Sequence, residues 1–151
     1  MDLSQLCRDH ARIALDSNVL MYLFEGTGPI AERAAEVSDA IAAGRVEACL
    51  ATLGLAEILA GPAKAGASEL VDRYIDELTT FEHLSLVPFD TDLARQAALL
   101  RGASSLSLAD AIHVAAALRF GATAIVTNDR RIRDVPGLKV AYLDEMAASE
   151  T

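Results

Sequence analysis

The sequence predicts an α/β fold: a mostly parallel central sheet of about five strands, flanked by helices as a three-layer sandwich. Three observations carry that reading. Short apolar runs of strand length recur along the chain, separated by segments whose apolar residues return at helical spacing. Alanine supplies 29 of the 151 residues, so helix propensity is high and helices can pack closely. Strands and helices alternate, the order that builds a parallel sheet with helical crossovers.

Met1 to Ala11 form an extension ahead of the first strand, Arg12–Leu15, which reads as short and buried. A helix from about Asn18 to Phe24 follows, then a Gly-Thr-Gly-Pro break. Pro29 stands where a first-turn proline belongs, and Ile30, Ala34, Val37 and Ile41 continue at helical spacing to Gly44. Glu47–Ala51 is the second strand. Helices over Thr52–Ala60 and Ser68–Phe81 are separated by Gly61-Pro62, read as a stop. His83–Phe89 holds the third strand, with Pro88 ending it or marking an edge. Asp90 or Thr91 caps a helix through Arg101, and Ser107–Phe120 is a strongly apolar helix closed by Gly121. Ala124–Thr127 is the fourth strand, 135–137 a turn, Leu138–Leu143 the fifth strand, and residues 144–151 a tail.

Length favours one domain over residues 1–151, large enough to bury a core without staples. Mean hydropathy is +0.29, yet no run of ~18 apolar residues exists to span a bilayer. The first ten residues are polar and acidic where a signal peptide needs basic residues and then an apolar run. Cys7 and Cys49 offer no C-x-x-C and no paired histidines, which excludes a disulfide framework or a zinc site. A reducing cytoplasm is the expected setting.

Net charge is −9, which taken whole argues against a nucleic-acid binder. Its distribution argues otherwise. Residues 101–140 hold Arg101, Arg119, Arg130, Arg131, Arg133 and Lys139 against Asp110, Asp129 and Asp134. A local basic face on an acidic protein and ordinary solvated arginines both fit that pattern.

Four acids stand out by position. Asp16 ends the first strand, Asp129 follows the fourth, Glu57 interrupts an apolar helix after the second, and Asp110 sits in the first turn of the apolar 107–120 helix. In an open α/β sheet, ligands bind outside the carboxyl ends of the strands, and helices running antiparallel to those strands begin on the same edge. All four acids therefore gather there. Carboxylates at close quarters repel and protonate unless a cation is present, and oxygen-only ligands suit Mg²⁺ or Mn²⁺. Each acid also has a plainer explanation. Asp16 and Asp129 suit helix N-caps, and Ser107 with Asp110 matches a capping box.

Leu15-Asp16-Ser17-Asn18-Val19-Leu20, the lone Glu57, the run from Leu108 to Ala116 and Val126-Thr127-Asn128-Asp129 resemble the PIN-domain ribonucleases, and most of all the VapC-type toxins of bacterial toxin–antitoxin pairs. The resemblance runs from about Ile13 to Leu143. It implies an Mg²⁺- or Mn²⁺-dependent endoribonuclease with Asp16, Glu57, Asp110 and Asp129 as catalytic and metal-holding acids, supported by Asn18 and Thr127. It also implies a homodimer and a cognate antitoxin that docks in a groove and brings a basic side chain to the acids. Arg130, Arg131 and Arg133, directly after Asp129, are candidates for RNA contact. His113 is read as packing or support rather than a catalytic base. An apolar groove is expected along the helices at 17–25 and 71–81. The alternatives are a PIN nuclease of RNA processing without an antitoxin, and a non-catalytic PIN domain. A D-x-D phosphohydrolase is disfavoured because position 18 is Asn, and a phosphoacceptor because Lys139 falls at the wrong edge.

Overall fold

The computed structural model describes residues 1–147. Along them run α1 (Leu3–Asp9), β1 (Arg12–Leu15), α2 (Ser17–Glu25), α3 (Gly28–Ala42), β2 (Glu47–Ala51), α4 (Thr52–Lys64), α5 (Ser68–Thr79), β3 (Leu84–Val87), α6 (Thr91–Gly102), α7 (Leu108–Phe120), β4 (Ala124–Thr127) and β5 (Lys139–Tyr142). The strands form one sheet in the order β3-β2-β1-β4-β5, and every pairing is parallel. The chain builds outward from β1 to β3, then crosses back over β1 to place β4 and β5 on its other side. Strand order thus reverses between β1 and β4, where a crevice opens beyond the carboxyl ends in sheets of this kind.

The period-two alternation of side chains divides the core into two layers. Ile13, Leu15, Leu50 and Val126 face a cluster that includes Leu6, Val19, Ile41 and Leu78. Ala14, Cys49, Ala51 and Ile125 face Leu93, Val114, Ala115 and Ala116 from α6 and α7. The extension before β1 holds the packed helix α1. Asp2 accepts a hydrogen bond from the Gln5 N–H at 2.7 Å, capping α1, and Leu3 and Leu6 are buried against the first cluster.

One expectation needs correction. Gly61-Pro62 does not stop the preceding helix: α4 continues to Lys64 with Pro62 inside it and buried. The ring forfeits one N–H but packs into the protein, and N–H groups beyond it close the end, Ala65 onto Gly61 O and Ala67 onto Pro62 O. Along the expected groove, the apolar side chains of α2 are only partly covered. Met21, Tyr22, Leu23 and Phe24 are half-buried against the core, and Phe24 stacks on Tyr74 with ring centroids 4.5 Å apart. The large apolar side chains most exposed among the described residues are Phe89, Leu99 and Leu108, with Met1 at the start of the chain.

β4 and β5 are joined without a helix by residues 128–138. Ile132, fully buried, anchors this connection with Val135 and Leu138, and the Tyr142 hydroxyl donates to Ile132 O at 2.7 Å. The loop therefore has a fixed course past the carboxyl end of β4. Leu143, expected to end the fifth strand, and Asp144 and Glu145 of the expected tail form a short 3-10 turn, and residues 148–151 lie outside the described residues. Among the described residues no helix is long and apolar enough to cross a membrane.

Candidate active site at the sheet edge

Asp16 is the residue at which β1 becomes α2, and its carboxylate has two tasks. Oδ1 accepts the Ser17 N–H at 2.8 Å, so the expected N-cap is real. Oδ2 accepts the Thr127 hydroxyl at 2.7 Å and the Asn18 amide at 3.2 Å. The Asp16 N–H donates to Val126 O, which ties the end of β1 to β4. Thr127 Oγ1 also accepts the Asp129 N–H at 3.0 Å and lies 3.3 Å from the Asn18 amide nitrogen. Asn18 and Thr127 thus hold Asp16 in one orientation and link it to the loop that bears Asp129.

Asp110 enters from the opposite layer. Ser107 caps α7 by accepting the Asp110 N–H at 3.1 Å, so the start of the expected capping box is present. The Asp110 carboxyl is nevertheless held above the ordinary carboxylate range. Burial is the main cause, and the negative charges of Asp129 and Asp16 add to it, against opposing effects of Ser107 and Arg131. Its Oδ2 is buried with no hydrogen-bond partner among the described residues, as is Oδ1 of Asn18. These are two hard oxygen atoms with unmet demand for a cation or a proton donor.

The remaining two acids point to other partners. Glu57 Oε1 lies 2.6 Å from His113 Nε2, which also stands 3.5 Å from Asp16 Oδ1. The bond to His113 holds the Glu57 carboxyl below its usual range, with burial opposing and Ser17 assisting. Burial alone would lower the His113 pKa, but Glu57 and the charges of Asp16 and Asp110 raise it above the ordinary imidazole value. His113 is therefore the bridge between Glu57 and Asp16. Its seat depends on Gly54, where an added Cβ would lie 3.0 Å from His113 Cε1 and 2.6 Å from Leu50 Cδ1.

Asp129 is held by Arg131, whose Nε and Nη2 reach its oxygens at 3.0, 3.1 and 2.8 Å and keep its carboxyl below the usual range. With Glu57 and Asp129 so engaged, no three His, Cys, Asp or Glu side chains among the described residues already stand as a metal-holding group. The four acids do share the sheet edge predicted for them. Asp16 and Asp110 are buried there, while Glu57 and Asp129 stand at its rim in ion pairs. Sequence reasoning gave His113 a supporting place but did not find its bond to Glu57. Their 56-residue separation hides the pair, although Asp110 and His113 share one helix face.

A cleft of about 480 Å³ beside Asp129 is lined by Arg101, Ser105, Ser107, Arg130, Arg131 and Arg133. Arg101 donates to Leu106 O at 2.6 Å. Arg130 pairs with Asp144 and lies over the Tyr142 ring, 3.9 Å from its centroid. Arg133 has no hydrogen bond or ion pair among the described residues, so it is the least committed of these cations.

A family model for the PIN domain matches residues 13–138. No curated protein matches the chain significantly. Among solved structures, the VapBC2 complex from Rickettsia felis bound to a DNA fragment from its promoter contains a similar fold. The TM-score is 0.68 at 17% identity, covering 87% of this chain and 98% of that one. A toxin-antitoxin complex from Klebsiella pneumoniae is similar with TM-score 0.64 at 22% identity, covering 83% and 94%. The sarcin-ricin loop cleaving toxin VapC20 from Mycobacterium tuberculosis gives TM-score 0.55 at 15% identity, covering 75% and 86%. At such identities these structures speak for the fold, whereas the family model spans most of the sequence and includes all four acids. The chain belongs to the PIN domain family.

Proposed function

We propose that this protein is a metal-dependent endoribonuclease and the toxin of a toxin–antitoxin pair. One observation carries the nuclease reading: a buried Asp110 oxygen with no hydrogen-bond partner among the described residues, near Asp16 and Asp129, at the strand-order reversal of a PIN domain. The donors fit a hard divalent ion, being carboxylate and amide oxygens with no thiolate. Asp16, Asp110 and Asp129 would hold Mg²⁺ or Mn²⁺, with Glu57 at the rim. When bound, the ion supplies charge neutralisation at the scissile phosphate and lowers the pKa of the attacking water.

The chain's own residues supply the placement. Thr127 and Asn18 fix the Asp16 carboxylate, and the Ser107 cap fixes the start of α7 and with it Asp110. His113 is spoken for by Glu57, so it orients that carboxylate rather than serving as the base. Arg133, with Arg130 and Arg131, would neutralise RNA phosphates in the adjoining cleft. The toxin reading is supported by solved structures of the same fold: VapBC2 bound to promoter DNA, a toxin-antitoxin complex and, in a separate structure, a toxin that cleaves the sarcin-ricin loop. It brings with it a homodimer and a cognate antitoxin.

Asp16→Asn and Asp110→Asn are each expected to lose most Mg²⁺-dependent RNA cleavage while keeping the native circular dichroism spectrum. Cleavage near the wild-type rate by either variant would overturn the assignment. Overproduction should arrest growth, and the product of the neighbouring reading frame should co-purify and relieve the arrest. A lone protein that cuts RNA but is harmless and monomeric would instead be a nuclease of RNA processing.

A further inference from the structure

We propose that Arg131 competes in cis with the metal ion for Asp129, and that an RNA phosphate draws the guanidinium off the carboxylate so that the ion can be held. The inference rests on the metal reading above. Asp129 Oδ1 accepts the Arg131 N–H at 2.9 Å and Nε at 3.0 Å, and Oδ2 accepts Nε at 3.1 Å and Nη2 at 2.8 Å. Both carboxylate oxygens are thus used by a cation only two residues away. The fork cannot stay closed while Asp129 gives those lone pairs to an ion.

The pair is built to open. The Arg131 side chain is 80% exposed, whereas that of Asp129 is only 20% exposed. The carboxylate is the fixed half and the guanidinium the mobile, solvated half, and exposed pairs of this kind are weak. An alternative anion site lies alongside. Arg131 borders the cleft with Arg133, which has no hydrogen bond or ion pair among the described residues, while Arg101 and Arg130 are engaged with Leu106 O and Asp144. A phosphate entering there meets two available guanidinium groups, and a guanidinium binds phosphate with the same fork geometry that it uses for carboxylate. Leaving Asp129 for that phosphate frees its carboxylate, near enough to Asp110 and Asp16 for their charges to act on Arg131. Linkage then requires that RNA and ion each tighten the other by the same factor.

The test is Mn²⁺ binding by the full chain, read as loss of the free-ion electron paramagnetic resonance signal. It is run with and without a 2′-O-methyl oligonucleotide that cannot be cleaved. Arg131→Gln is expected to bind Mn²⁺ about two- to fivefold more tightly than wild type without oligonucleotide. The oligonucleotide should tighten Mn²⁺ binding by wild type and leave Arg131→Gln unchanged. Arg133→Gln removes the same charge from the cleft without releasing Asp129, and it should not reproduce the gain. Equal Mn²⁺ affinities of wild type and Arg131→Gln would overturn the proposal, as would an equal gain in Arg133→Gln. An oligonucleotide effect of the same size in wild type and Arg131→Gln would overturn the phosphate exchange. No Mn²⁺ binding by wild type, or undiminished binding by Asp16→Asn, would overturn the metal reading and the competition with it.

Discussion

Asp110 shows what a single buried carboxylate costs this protein and why it is kept. Burial, with Asp129 and Asp16 nearby, raises its pKa in the folded state. The native protein therefore retains a proton at pH values where the unfolded chain has released it, and stability falls as pH rises from the unfolded pKa to the folded one. Asp110→Asn removes that penalty. In metal-free buffer at neutral pH the variant should melt above wild type, each kcal/mol regained being worth about 2–4 °C at this size. The difference should vanish at a pH below the unfolded pKa, and added Mn²⁺ should raise the melting temperature of wild type only. A neutral-pH melting temperature below that of wild type would show that the carboxylate contributes packing rather than strain. The cysteines offer a second check. Cys49 is buried, and burial pushes its thiol up to about 12, whereas Cys7 is partly exposed. A thiol reagent at pH 8 should modify Cys7 in the native protein and reach Cys49 only after unfolding.

At the scale of elements, the site depends on how closely α4, α7 and β2 approach. A Cβ at position 54 would stand 2.6 Å from Leu50 Cδ1, so that side-chain end must shift, and 3.0 Å from His113 Cε1, tighter than most real contacts. Gly54→Ala should cost about 1–3 kcal/mol as overpacking. It should also displace His113 from Glu57, so that RNA cleavage falls by more than the lost stability explains. Denaturant unfolding alongside cleavage rates at a temperature well below melting separates the two effects. α7 provides the complementary case. Ser107→Ala removes its cap and should cost about 1 kcal/mol, read as a lower urea midpoint with an unchanged slope.

For the molecule as a whole, the charge distribution decides how an acidic protein can hold RNA. Attraction has to come from the cleft by Asp129, against an overall net charge of −9. Arg133→Gln should weaken RNA binding across sequences and reduce the slope of log Kobs against log salt by about one. Arg130→Gln should have a smaller effect, because that guanidinium already neutralises Asp144 and lies over Tyr142. Equal slopes for wild type and Arg133→Gln would return Arg133 to the solvated surface.

The sequence by itself determined the class of fold, most element boundaries and the edge at which the acids gather. Strand-length apolar runs, caps such as Ser107 and the left-handed Gly121 are local signals, and a strand end or helix start places a residue without knowledge of its neighbours. Pro62 misled because the rule it invokes is local, whereas its burial comes from packing between distant segments. Only the tertiary structure decided which acids stay open and which are paired. Whether Glu57 meets His113 and Arg131 closes on Asp129 depends on side-chain directions across α4, α7 and the β4–β5 connection. Those directions come from packing between distant segments. Sequence spacing carries no record of them.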